Sequence, residues 1–562
     1  MPRVVFVHEK KSILTAEGVT ILEAARRAGV VIESPCNGSG TCDKCLVTVQ
    51  GQGQVLACRE LVASDIAVET PDYASENATM EILVTGKSVD YGLNPYIRKT
   101  LAGMPGSYRA EVYAGAALLG TEPLEDEDAA HFRGSTRELN AMPLYGIALD
   151  IGTTTMAAAL YDLATGEQMD TESELNPQTA YGQDVLSRIH FASKRATADV
   201  PDGINPGLKT LFTIFIDALN SMIETLATRC GIEQRHIYEI VFSGNTAMLH
   251  LATQTDPYLL GQFPYTPAIS GGSCLDAASL GVAIAPFGIV YLPPIISAYV
   301  GADITSGILA SALAEAQGTV LFIDIGTNGE MALARDGTLV AASTAAGPAL
   351  EGMNISCGMR ASRGAIESFV VDRDDFSFKT IGGADPVGIC GSGLIDIAGE
   401  LVKAGIIGPN GRFAVPSTEK ESPLWKALRT HEGKRAFFIT DAIYLSQNDV
   451  RQIQLAKSAI RTGIESLLAH LALSPGDIAQ VDLAGSFGYH LKERSLINIG
   501  LLPKEFAGKV HFIGNTSLFG AAAFLLNQDL MQQALALVTR IEVVELVQEK
   551  DFDLTFIGYM GF

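Results

Sequence analysis

The chain has 562 residues, enough for three or four structural units with ample core. Its composition, 47% hydrophobic and 18% charged, is that of a soluble globular protein. A net charge of −23 argues against nucleic-acid partners and against docking on anionic membranes, and the N-terminal MPRVVFVHEKKS has too short an apolar run for a signal peptide.

Residues 1–82 read as one small domain. Val4 to His8 and Ser12 to Thr15 read as strands. Thr20 opens a helix with Glu23 three residues on, a capping-box pattern, and Gly29 closes it. Four of the eight cysteines follow, as Cys36-x5-Cys42-x2-Cys45-x12-Cys58. The others, Cys230, Cys274, Cys357 and Cys390, are scattered and read as buried thiols. A tight group of four in a chain without a signal peptide points to metal in a reducing, cytoplasmic compartment.

The plant-type [2Fe–2S] pattern is C-x4-C-x2-C with a distant fourth cysteine. Here the first loop is one residue longer, a spacing that resembles the adrenodoxin-like ferredoxins. Asn37, Gly38, Ser39, Gly40 and Thr41 are small enough to wrap a cluster and point N–H groups at its sulfurs. A four-cysteine zinc site is the competing reading. Such sites pair two close couples, and here the fourth cysteine stands alone.

Residues 83–143 read as a linker with short helices, broken by Pro95 and Pro105, with a solvated acidic run from Leu124 to Asp128. Residues 144–318 open with GIALDIGTTTMAAALYDLATGEQ, an apolar run reaching Asp150, then Gly152 and three threonines, then a second apolar run and a turn. NPQTAYGQDVLSRI leads into a helix with Asp184 and Arg188 at i, i+4, either near a metal or water or as a surface ion pair. Leu208 to Cys230 is a long amphipathic helix, and IYEIVFSGNTAMLHLA reads as strand, turn and helix, with His250 a packed helix residue. Ser279 to Ala302 lacks charge but carries three prolines, so it reads as core strand and loop and not as a membrane span.

Residues 319–562 repeat the opening. TVLFIDIGTNGEMALARDGTLVAAS again takes an apolar run to an Asp, Asp324, followed by Gly326 and Thr327. The segment from Ala346 to Gly352, with Gly347, reads as a turn bordering a cleft. Gly391 lies in a glycine-rich turn, and Asp441 to Leu473 reads as mostly helical. Gly485 and Ser486 lie in a glycine loop after a strand, and GNTSLFGAA reads as a small-residue helix start. The closing FDLTFIGYMGF alternates and predicts a packed strand.

The two Asp-Ile-Gly-Thr hairpins read as a phosphate grip written twice. Backbone N–H groups at Gly152 and Gly326 can approach a ligand closely. The hydroxyls of Thr153, Thr154, Thr155 and Thr327, with Asn328, add donors. Asp150 and Asp324 can hold Mg²⁺ through water or orient an attacking water. Neither G-x-x-x-x-G-K-[ST] nor a strand-linked G-x-G-x-x-G is present.

These motifs resemble the duplicated ATPase core of the actin, hexokinase and Hsp70 superfamily, an α/β fold. With a β-grasp ferredoxin in front, the whole resembles the reductive activators of corrinoid proteins, and the N-terminal cluster points to the RACo type. The resemblance implies a [2Fe–2S] cluster on Cys36, Cys42, Cys45 and Cys58, and ATP with Mg²⁺ in the cleft. It implies Asp150, Asp324 and Asp184 as catalytic groups, with Gly347, Gly391, Gly485 and Ser486 beside the nucleotide. It further implies an external low-potential electron donor and a partner corrinoid protein of a methyltransferase system whose Co(II) is returned to Co(I). D-x-H-x-x-G, the pattern of corrinoid carriers, is missing here, so the cobalt belongs to that partner. Activators of 2-hydroxyacyl-CoA dehydratases, whose cluster sits between subunits, and an ATP-binding redox sensor are the competing readings. Such activators often carry a further middle domain, for which the segment 83–143 is too short. A homodimer built on such a domain is therefore left open.

Overall fold

The computed structural model describes residues 1–30, 32, 34, 38, 40, 44–70, 92–103, 108–124, 142–193, 204–415, 422–485, 491–549 and 551–562. At the N-terminus, five strands form one sheet, with Arg3–Phe6 paired antiparallel to Lys11–Leu14 and parallel to Ile66–Glu69. The helix Ile21–Arg27 lies on it. Its cap is the expected one, with Thr20 accepting from the Glu23 N–H. Val4, Phe6, Leu22, Ala25, Val47 and Val68 fill the core between helix and sheet. This is the ferredoxin-like, β-grasp arrangement.

Two six-stranded sheets follow, and their strand orders match over five strands. The first runs Gln168–Leu175, Thr155–Asp162, Tyr145–Ile151, Ile237–Gly244, Ile289–Leu292, Ser273–Asp276. The second has Thr338–Thr344, Gly329–Arg335, Thr319–Ile325, Gln480–Ala484 and Val510–Gly514 in the corresponding places. In each, the strand ending in the Asp pairs antiparallel with the next strand and parallel with a later one. The duplication legible in two tetrapeptides is therefore a duplication of whole sheets, the actin-like α/β core.

Two helices join the halves. Thr516–Leu526, late in the chain, packs on the first sheet, and Ala302–Ser311 lies between Ile237–Gly244 of the first sheet and Phe322 and Gly329–Arg335 of the second. The two cross so closely that a Cβ on Gly520 would lie 2.1 Å from the Ser306 carbonyl. Only glycine at 520 permits so close a crossing, which joins the two halves through packed helices.

Two sequence expectations are corrected. The described part of 83–143 holds no helices. Ile97–Ala102, Arg109–Ala114 and Ala117–Pro123 form a three-stranded antiparallel sheet. Ile97 and Val112 enter the core shared by the two large sheets, and Lys99 bonds Glu122 at 2.9 Å above the Tyr238 ring. Alternation of short apolar and polar residues won over the proline signals. At the other end, Phe552–Gly558 is a helix and not a strand. Over so few residues, Phe552 and Phe556 satisfy an i, i+4 period as well as an alternating one. The neighbouring helix Gln447–His470 supplies donors, with Gln454 Nε2 reaching the Met560 carbonyl at 2.7 Å.

Among the described residues, only Pro206–Cys230 is a helix long and apolar enough to cross a membrane, and it buries Leu211, Phe215, Leu219 and Ile223 in the core of the first half.

Candidate nucleotide cleft and cluster site

Each sheet ends its central strand at an Asp, and the turn that follows faces the other half. The hydroxyls of Thr154 and Thr327 meet at 3.3 Å. Around them lies a space of about 90 Å³, lined by Asp150, Gly152, Thr153, Thr154, Thr155, Gly326, Thr327, Asn328 and Gly485 among others. All of these were legible in the sequence. Gly485 has φ +123°, and a Cβ there would lie 2.4 Å from the Ile325 carbonyl, so only glycine lets this loop approach the second turn. Ser486 lies outside the described residues.

Three expected residues stand elsewhere. Asp184 does not line the cleft; its carboxylate accepts from the Ser187 N–H at 2.8 Å and so caps the helix Val185–Ser193. Its surface ion pair with Arg188 does not form either. Arg188 is fully buried and donates to the Gly182 carbonyl at 2.8 Å and to the Thr153 carbonyl in the first turn. Gly391 packs against the Leu350 carbonyl. Gly347 sits just before the turn Pro348–Glu351 that brings Glu351 to the cleft.

Sequence reasoning missed three of the five acids. Asp303, Glu330 and Glu351 join Asp150 and Asp324 in the lining. Glu330 had a signal: the hairpin register sets it directly opposite Asp324. Asp303 comes from the start of the crossing helix and Glu351 from a loop turn, and neither position carries a local signature. Asn245, Asn515 and Ser517 were also missed as site residues, although each lies in or beside a helix cap.

The electrostatics follow from this crowding. Burial, then mutual repulsion, pushes the Asp324 carboxyl up to about 8, and burial with the Asp150 charge takes Asp303 to about 7. Glu330 and Glu351 are also raised. Asp150 is raised by burial, against hydrogen bonds from Ser517 Oγ at 2.7 Å and Asn515 Nδ2 at 2.8 Å. Glu351 accepts from Thr327 Oγ1 at 2.7 Å. Asp324 has no hydrogen-bond donor among the described residues.

Among the described residues, no lysine or arginine lines the cleft. Five carboxylates facing phosphate would repel it, so the donor set fits an anion only together with a divalent cation. No three acidic, histidine or cysteine side chains among the described residues converge as a cage for one ion.

The sign of the pH effect is fixed by the raised values. Between about pH 4 and 8 these carboxyls keep protons in the folded protein that the unfolded chain has released. Their stabilising contribution is therefore lost as pH rises toward about 8. The nucleotide-free protein is expected to melt at a lower temperature at pH 8.5 than at pH 6. Asp324→Asn should flatten that slope in calorimetry; an unaltered slope would show that the acids do not titrate as described.

In the N-terminal sheet, the described cluster-loop residues are consistent with iron–sulfur ligation. Cys45 is buried, and the Cys58 N–H donates to its sulfur at 3.4 Å. N–H groups aimed at ligand sulfurs are what a cluster needs. Cys36 and Cys42 lie outside the described residues. Among the described residues the remaining thiols form no second centre: Cys390 is buried as expected and donates to the Ile366 carbonyl at 3.2 Å, whereas Cys357, near the Ala442 carbonyl at 3.8 Å, and Cys230 are half-buried and Cys274 is exposed. His250 is buried as expected, with Nδ1 at 2.7 Å from the Thr246 carbonyl.

Known proteins place this arrangement. Residues 2–73 match a 2Fe-2S iron-sulfur cluster binding domain, 145–316 the RACo middle region, and 318–562 the C-terminal domain of RACo, the ASKHA domain. The chain is 30% identical to the corrinoid activation enzyme RamQ of Eubacterium limosum, across 94% of this chain and 93% of that protein. The chain belongs to the reductive activators of corrinoid proteins. It is also 25% identical to a Co(II) methylated amine-specific corrinoid protein reductase of Methanosarcina barkeri, over 72% of this chain and 74% of the relative. A solved reductive activator for corrinoid, iron-sulfur protein aligns with TM-score 0.73 and 29% identity, covering 100% of this chain and 98% of that one. The family's middle region falls on residues 145–316, the first half of the core.

Proposed function

We propose that this activator delivers one electron from its N-terminal [2Fe–2S] centre to the Co(II) corrinoid of a partner methyltransferase protein, returning it to Co(I), and that ATP hydrolysis in the cleft drives the step. The observation that carries the reading is the meeting of Thr154 and Thr327 over buried acids, in a chain whose N-terminus is a ferredoxin-type domain. The likeness to corrinoid activators over nearly the whole chain supports the choice of partner.

The cluster, when bound, supplies the one-electron redox chemistry. Cys36, Cys42, Cys45 and Cys58 would hold it. ATP supplies binding and hydrolysis energy that a plant-type potential, near roughly −400 mV, does not. Each ~59 mV of shortfall is tenfold in a one-electron equilibrium.

The chain's own residues divide the remaining work. The turn N–H groups and Thr153, Thr154, Thr155 and Thr327 bind phosphate. Asp150, held by Ser517 and Asn515, is a fixed acceptor that would hold the water shell of a bound cation, and Asp324 takes or orients the attacking water. Arg188 and Asn176 keep the first turn in shape, Asn176 Nδ2 bonding the Gly152 carbonyl at 2.8 Å.

The test uses anaerobically reconstituted protein, a reductant and a cognate Co(II) corrinoid protein. The Co(I) absorbance band is expected to grow with Mg²⁺–ATP and to stay flat without nucleotide. Equal growth without nucleotide would overturn the ATP-driven reading.

A further inference from the structure

The ferredoxin part grips both halves of the ATPase core, once on each side of the cleft. On the first side, Arg26 Nε donates to the Ala180 carbonyl at 2.7 Å, and the Tyr181 hydroxyl donates to the Arg26 carbonyl at 2.7 Å. The next residue, Gly182, accepts from Arg188, whose second nitrogen holds the Thr153 carbonyl of the first phosphate turn. On the second side, Lys44 Nζ donates to the Ser356 carbonyl at 2.8 Å and to Gly358 at 3.4 Å. That segment follows Glu351, which accepts from Thr327 of the second turn at 2.7 Å. Lys44 itself lies between two of the cluster cysteines in sequence, Cys42 and Cys45.

Each phosphate turn is thus linked to the ferredoxin part through a few contacts. The turns now touch, with about 90 Å³ around them. Pockets for larger small molecules run to roughly 300–1,000 Å³. A nucleoside triphosphate with its cation must therefore part the halves. Hydrogen bonds fail within a few tenths of an ångström beyond their normal length. A domain pinned to both halves cannot keep both holds when they separate.

We propose that the ferredoxin part is a strap across the cleft, released from one half when nucleotide enters. Arg26, Tyr181 and Lys44 are the positioning residues that tie nucleotide binding to the freedom of the cluster-bearing domain to reach its partner. This rests on the cleft being the nucleotide site. Linkage makes it testable, because coupling between two binding events is reciprocal. If nucleotide loosens the holds, the holds oppose nucleotide.

The experiment measures Mg²⁺–AMPPNP binding to the reconstituted full chain by calorimetry and its radius of gyration by X-ray scattering. Lys44→Ala and the pair Arg26→Ala with Tyr181→Phe are each expected to bind AMPPNP about fivefold tighter. The parent should expand on binding, and the triple variant should already be expanded without it. A merely structural role for these contacts would leave affinity unchanged or weaken it, and either result, or a parent that does not expand, overturns the strap. A parent chain that binds no AMPPNP would instead overturn the nucleotide reading itself.

Discussion

Asp324→Asn is expected to lower ATP turnover about a thousandfold, within the range for loss of a group that handles the reacting proton or water. The same substitution should leave iron and sulfide content unchanged. Three features make this the largest effect in the cleft. Asp324 ends the central strand of the second sheet, opposite Glu330 and beside the Gly485 loop. Unlike Asp150, it has no hydrogen-bond donor among the described residues, so it remains available to a water or a hydrated cation. Its carboxyl is held at about 8 by burial and by Asp303, Asp150 and Glu351. Asparagine keeps the shape and removes the repulsion, so this variant should be more stable above neutral pH than the parent. A fall in turnover with a rise in melting temperature cannot be unfolding. Asp150→Ala should also lose turnover, whereas Asp184→Ala, the removal of a helix cap, should cost about 1 kcal/mol of stability and little activity. Hydrolysis at the parental rate in Asp324→Asn would remove this residue from the reaction.

Cys58→Ala is expected to abolish Co(II) reduction while ATP hydrolysis continues. Cys58 belongs to the N-terminal sheet and its loop, and among the described residues the cleft lining includes none from that part. The side chain is only half-buried, so truncation leaves little cavity. With one of four ligands gone, the visible spectrum of a [2Fe–2S] centre and its two irons should disappear after careful reconstitution. Cys42→Ala should behave alike. Stoichiometric zinc in the parent protein, or cobalt reduction by a chain without iron, would reject the cluster reading. The pair of results separates the two chemistries: one variant keeps a reducible centre without turnover, the other keeps turnover without a centre.

Much of this was legible because it is local. A hairpin turn with glycine and threonine after a strand-ending Asp states its geometry within a dozen residues, and it states it twice. The cap at Thr20 announces its helix in a few residues, and it accepts from the Glu23 N–H it was placed to satisfy. Cysteine spacing encodes a loop that has to wrap one centre.

What the tertiary structure alone decided has no such period. Asp303, Glu330 and Glu351 come from a helix start, a strand and a loop turn, and they converge because the two halves fold against each other. Arg188 is an ordinary i, i+4 partner of Asp184 on paper; burial against the Thr153 and Gly182 carbonyls makes it a brace for a phosphate turn instead. The crossing of Thr516–Leu526 and Ala302–Ser311 depends on close approach at Gly520, which no single segment reveals. The grip of Lys44 on Ser356 joins residues more than three hundred positions apart. Local backbone preference is written in neighbouring residues, but a shared cleft is set by which faces are left to pack once every element has formed.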